Sequence, residues 1–157
     1  MFKDVKAIEL PTDSKLQGFV KHGDFLDCYA THSPMPARQA AEIITDFPQW
    51  AQSLLLLRKV VTSPFGLSQD GPDADDKIGP FPVEHSSDEE VIAGFNDKHL
   101  NFRVSVIAKD GKVSLATWVH PHNIGGKFYL AAIMPFHILI SRNALARVAN
   151  TRDSATA

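Results

Sequence analysis

Two stretches of alternating residues, joined by Lys109-Asp110-Gly111-Lys112, constrain this chain more than any other feature. Leu100, Phe102, Val104 and Val106 alternate with His99, Asn101, Arg103 and Ser105. Beyond the turn, Val113, Leu115, Thr117 and Val119 alternate with Ser114, Ala116, Trp118 and His120. In an extended chain, residues two apart share a face, so a sustained period of two predicts strands. Asp-Gly between them supplies the positive backbone angles of a tight hairpin turn. The expectation is an antiparallel hairpin with its apolar side on a core and its polar side in water.

The flanking sequence supplies partners for that hairpin. Asp24 to His32 alternates and is rich in β-formers, which predicts a strand. Ser33 then offers an N-cap, and Ala40, Ile43, Ile44 and Phe47 recur at helical spacing. Pro48 ends that helix, and Trp50, Leu54, Leu57 and Val61 mark a second, in which Arg58 reads either as a cation suited to the end of the stripe or as a guard at a cavity mouth. An acidic loop follows over residues 68–77. Gly79 to Glu84 reads as an edge strand because of its prolines, and Val91, Ala93 and Phe95 mark another strand. His120 to Gly126 reads as a loop, and Lys127 to Ile133 as a last strand. From Met134, with Pro135 in its first turn, Phe136, Ile140, Ala144 and Val148 form the stripe of a closing helix. Strands that cluster, with helices at the ends, make an α+β layout.

At 157 residues the chain fits one domain, expected to span 1–157 with an ordered core from about 20 to 150 and a flexible polar tail at 151–157. Lys plus Arg number 16 against 18 Asp plus Glu, which leaves no basic excess for nucleic acid. The lone Cys28 cannot form an internal disulfide, which fits a reducing compartment such as the cytoplasm. Lys3, Asp4, Lys6 and Glu9 interrupt any secretory signal. The apolar run Phe128 to Ile140, broken by Pro135 and His137, predicts no membrane span.

Candidate chemistry rests on histidines and rings. His120 and His122 flank Pro121 and point to one side of an extended chain, but no carboxylate stands beside them. Zinc sites show a fuller ligand set, so neither metal nor cofactor is expected. His99 and Arg103 share a strand face and form, with His120 and His122, a second-choice polar site. The nucleophile elbow and the phosphate-loop spacing are both missing from the sequence. Cys28, on a strand, reads as a small hydrophobe. Phe95, Phe102, Phe128, Tyr129 and Phe136 cluster in the sheet and closing-helix region.

The segments SLLLLRKVV, PFGL, GFNDKHLNFRVSV and TWVHPHNIGGKFYLAAIMPFHILISRNALARVA carry a resemblance. Over about residues 23–149 the chain resembles a bacterial family, without assigned activity, in the START-like helix-grip superfamily. That superfamily includes the polyketide cyclases. The resemblance implies a curved antiparallel sheet around a long C-terminal helix, two short helices after the first strand, and an apolar cavity between sheet and helix. A small hydrophobic or amphipathic ligand would then meet Phe102, Val104, Leu115, Thr117, Phe136, His137 and Leu139. One alternative is an enzyme of cyclase, dehydratase or hydrolase type using His99, His120, His122 and His137. Another is an interaction module whose sheet face near Arg103 and Trp118 binds a protein or a second copy as a homodimer.

Overall fold

The computed structural model describes residues 5–52, 75–79, 81–96 and 100–156, with side chains through residue 151. The chain order is β1 (Lys6–Ala7), a 3-10 turn (Lys15–Gly18), β2 (Phe25–His32) and α1 (Ala37–Thr45). A second helix, α2, starts at residue 49 and is described to residue 52. Then follow β3 (Lys77–Ile78), β4 (Phe81–Ser86), β5 (Glu90–Asn96), β6 (Leu100–Lys109), β7 (Lys112–Pro121) and α3 (Ile124–Thr156). Seven antiparallel strands form one curved sheet in the order β1-β2-β7-β6-β5-β4-β3. The fold is α+β, as expected. The expected Leu54, Leu57, Arg58 and Val61 stripe, most of the acidic loop, and His99 lie outside the described residues.

The predicted hairpin forms β6 and β7, paired from Leu100↔Pro121 to Lys109↔Lys112, with Asp110 and Gly111 at positive φ. β2 returns alongside β7, Phe25↔Val119 through His32↔Lys112. One face of the sheet carries Tyr29, Val91, Ala93, Val106, Val113 and Leu115. These pack on Ala40, Ala41 and Ile44 of α1 and on Ala144, Leu145 and Val148 of α3.

The other face corrects the expectation of a polar, hydrated surface. Cys28, Ile107, Ala116 and Trp118 are buried there beneath Leu10 and Leu16, with Phe19 and Val20 alongside. Ser105 and Ser114 on this face are also buried. The reason is chemical: Ala116, Trp118 and small hydroxyls fill the "polar" register, and such a surface gains by being covered. Residues 5–20 therefore belong to the packed structure, so it begins before the expected core boundary near residue 20. Glu90 fastens them. Its carboxylate accepts from Ser14 Oγ (2.6 Å), Ser105 Oγ (2.5 Å) and the Lys15 amide (2.9 Å). Ser14 in turn caps the 3-10 turn through the Leu16 amide at 3.1 Å.

Two helix starts also differ from the sequence reading. The cap position of α1 is Pro36, and Ser33 instead is buried and accepts from the Met35 amide. Residues 127–133 are not a strand, because α3 begins at Ile124. Asn123 sets that start: its Oδ1 accepts from the Gly126 amide at 2.9 Å. Pro135 thus stands inside the helix. There its ring removes the bond to the carbonyl four residues earlier. The continuous segment Ile124–Thr151 is long and apolar enough to cross a membrane by length and composition alone.

Two substitutions test this architecture. Gly94, at φ 143°, has no room for a Cβ, which would sit 2.4 Å from the Phe102 carbonyl oxygen and 3.0 Å from Arg103 Cα. Gly94→Ala is expected to cost more than about 2 kcal/mol in urea unfolding. Glu90→Ala leaves two buried hydroxyls and an amide without their acceptor, and is expected to cost about 2–3 kcal/mol. A variant unchanged in midpoint contradicts the corresponding contact.

Candidate functional site

The strand registers assemble the predicted ligand residues row by row on the helix-covered face. Asp27, Thr117, Val104 and Ala93 lie across β2, β7, β6 and β5 in one row. Phe25, Val119, Phe102 and Phe95 form the next, and Tyr29, Leu115, Val106 and Val91 the one beyond. At the edge the rings touch edge-on: Phe95–Phe102 at 4.8 Å and Phe81–Phe102 at 5.6 Å between centroids. Phe102, Val104, Leu115 and Thr117 therefore share a surface, as expected.

His137 reaches the same surface from α3, its ring edge-on to Phe25 at 6.0 Å. Phe136 and Leu139 do not. They are 46% and 42% exposed, because the helix phase that turns His137, Ser141, Ala144 and Val148 toward the sheet turns them outward. Both are corrected as lining residues.

The polar partner of His137 is one that the sequence reading missed. Asp27 Oδ2 lies 2.9 Å from His137 Nε2, and both side chains are mostly buried. Asp27 Oδ1 is buried and has no hydrogen-bond partner among the described residues. A carboxylate oxygen taken out of water without a donor is costly, and such orphans call for an explanation. The available signal was Asp27's register: it stands between Phe25 and Tyr29 on the apolar side of β2. The arrangement can hold a donor group of a small molecule, or pass a proton between carboxylate and imidazole.

Of the second-choice residues, the described ones, Arg103, His120 and His122, fall on the opposite face or at its end. Arg103 is buried, with Nε 2.7 Å from Glu84 Oε1 and its guanidinium 5.3 Å from the centroid of the Phe19 ring. It holds the N-terminal cover to the sheet and is not presented to an anion. His120 Nδ1 lies 2.6 Å from Asp24 Oδ1. Asp24 Oδ2 also accepts from Trp118 Nε1 (2.8 Å) and from the Lys21 amide (2.9 Å). Burial pushes the Asp24 carboxyl up, but these three bonds outweigh it and hold it below the usual carboxylate range. The His120 and His122 rings lie 5.9 Å apart. Among the described residues, no three His, Cys, Asp or Glu side chains are grouped to hold a metal ion.

Two open surface depressions lie away from this cluster. One, of about 290 Å³, is lined in part by Ser33, Met35, Asp88 and Lys112. The other, of about 540 Å³, lies between Phe47, Pro48 and Arg147. Neither includes the rings or the Asp27–His137 pair.

Cys28 takes no part in the site. Burial, reinforced by the neighbouring Asp27 charge, pushes its thiol up to about 12. In the unfolded chain a thiol ionises near 8.5. The proton is thus retained longer in the folded state, which contributes stability below that value that is lost as pH climbs toward 12. Alkylation by iodoacetamide at pH 8 is expected only at the rate of unfolding, and fast labelling of the native protein would contradict this burial.

No match was found among curated proteins or among solved structures. A family model does match, over residues 19–144, which include every described residue of the Asp27–His137 site and its row of rings. By that match the chain belongs to the family of proteins of unknown function DUF2867.

Proposed function

We propose that this protein binds a small amphipathic molecule at the boundary between the sheet and α3, in the manner that its resemblance to START-like proteins implies. The reading rests on one observation above all: the buried Asp27 Oδ1 beside His137, unpartnered among the described residues, on a surface otherwise built of the partly buried Phe25, Phe102 and Val104. An apolar body covering those side chains gains about 25 cal/mol per Å² before association costs. A hydroxyl or amine on the same molecule supplies the donor that Asp27 lacks. Asp27 and His137 anchor and orient it, while the rings supply most of the contact area. The reducing bacterial cytoplasm, expected from the sequence, is the compartment in which we place it.

A second reading has a specific observation behind it. Asp27 holds His137 through Nε2, which leaves Nδ1 available to move a proton on a bound molecule. On that reading the chain is an acid–base enzyme of cyclase, dehydratase or hydrolase type that uses the same pair.

The first reading is tested by calorimetric titration of the full chain with medium-chain alcohols, amines and carboxylic acids, together with native mass spectrometry of the purified protein. Alcohols and amines are expected to bind better than the acids, whose carboxylate meets Asp27 without a donor. Asp27→Asn and His137→Phe are each expected to weaken alcohol binding about tenfold, the cost of one hydrogen bond. Absence of binding across the series with no co-purifying molecule, or unchanged affinity in both variants, contradicts the proposal.

A further inference from the structure

The helix that carries His137 has a second apolar side, which faces away from the sheet. Ile124, Phe128, Ala131, Ala132, Pro135, Phe136 and Leu139 are all exposed, Ile124 by 70% and Phe128 by 73%. At 100° per residue they fall on one side of α3, over a length of about 24 Å. Contiguous apolar surface of this kind marks an interaction site.

We propose that this face is a homodimer interface, in which two copies of α3 cross antiparallel about a two-fold axis at Ala131–Ala132. The stripe is nearly palindromic about that point. Phe128 and Phe136 stand four residues to either side of Ala132, and Ile124 and Leu139 close the ends. A two-fold interface needs this kind of self-complementary patch, since each residue meets its mirror position. Small residues at the crossing let the helices approach closely, while the large ones interlock on both sides.

Charge favours a second copy over a lipid surface. No acidic residue occurs from 124 to 151. The cations are spoken for: Arg142 stacks on Tyr29 at 4.9 Å, and Arg147 donates to the Ile44 and Asp46 carbonyls at the end of α1. That leaves Lys127, with its apolar neighbours, whereas a helix that lies on lipid presents a strongly basic polar side. Across the proposed axis the two Lys127 residues stand about 15 Å apart, beyond the screening length at physiological salt. The four large exposed side chains offer on the order of 400 Å² per copy. With the alanines and Pro135 added, the total approaches about 1,000 Å², the lower bound for a specific interface. The expected dimer is therefore reversible. It leaves the Asp27–His137 side of the helix uncovered and is independent of the ligand reading.

Sedimentation velocity on the full chain over micromolar concentrations tests the proposal, combined with two variants. The wild type is expected to shift from monomer to dimer. Phe128→Glu, at an exposed position, is expected to weaken association at least tenfold with an unchanged circular dichroism spectrum. Ala132→Cys is expected to cross-link to its own copy under mild oxidation, since the native Cys28 is buried. A chain that stays monomeric and does not cross-link overturns the proposal. If that monomer floats with phosphatidylglycerol vesicles, the face belongs to lipid instead. A dimer indifferent to Phe128→Glu and without the Ala132→Cys cross-link overturns it too, placing the interface elsewhere.

Discussion

A sheet whose central strands are apolar or small on both sides cannot leave either side in water, and this constraint organises the whole molecule. β2, β6 and β7 present Tyr29, Val106, Val113 and Leu115 one way and Cys28, Ile107, Ala116 and Trp118 the other. The first side is met by α1 and α3. The second is covered, among the described residues, by the chain before β2, with Leu10, Leu16, Phe19 and Val20 laid across it. Short connections leave an extended stretch with a single 3-10 turn for that purpose. Its backbone polar groups must be satisfied there, and Glu90 and Ser14 meet part of the demand by accepting from the Lys15 and Leu16 amides.

The same constraint explains how α3 divides. Its C-terminal half supplies Ala144, Leu145 and Val148, small enough to sit close to the sheet and to α1. Its N-terminal half runs past the packed region with bulkier residues and is apolar on both sides. One side brings His137 to Asp27. The other carries the rings that we assign to a second copy. A helix apolar all round needs cover all round, and the described residues supply only half of it. Pro135 lies at the middle of this half, on the uncovered side, where the missing hydrogen bond is cheapest.

The hairpin from Leu100 to Val119, the strand at β2 and the α+β order were legible because period and turn chemistry are local. What alternation does not encode is which of two faces is wet. Ser105, Ser114 and Arg103 look like solvent-facing residues, yet each is small, or paired, and buried. Residues 127–133 carry the Phe and Tyr of a strand, but Asn123 caps a helix three residues before Gly126, and a cap outweighs the modest β-preference of those rings. Phe136 was placed inward by a stripe taken at steps of four, which drifts about 40° per step and leaves Phe136 about 120° around the helix from Val148. Phe102, Val104, Leu115 and Thr117 came together because a sheet face is a pure consequence of parity. Asp27 was legible by the same parity, as a carboxylate in an apolar row, but its partner His137 lies 110 positions away.

The two carboxylate–imidazole pairs on opposite faces show why the Asp27 pair is the candidate site. Both join an aspartate at or near β2 to a distant histidine within hydrogen-bond reach. Asp24 spends both oxygens on three donors, one of them the backbone of its own turn, and Trp118 lies in the core beneath it. A carboxylate so fully satisfied has its work done by the fold: it fixes the turn into β2 and the end of β7. Asp27 spends one oxygen and keeps the other buried and, among the described residues, unpaired, in a row with Thr117, Val104 and Ala93. A fold gains nothing from that expense on its own account, since an apolar residue there would serve the packing better. The difference in satisfaction between the two pairs is what singles out Asp27–His137 as the candidate for the ligand we propose.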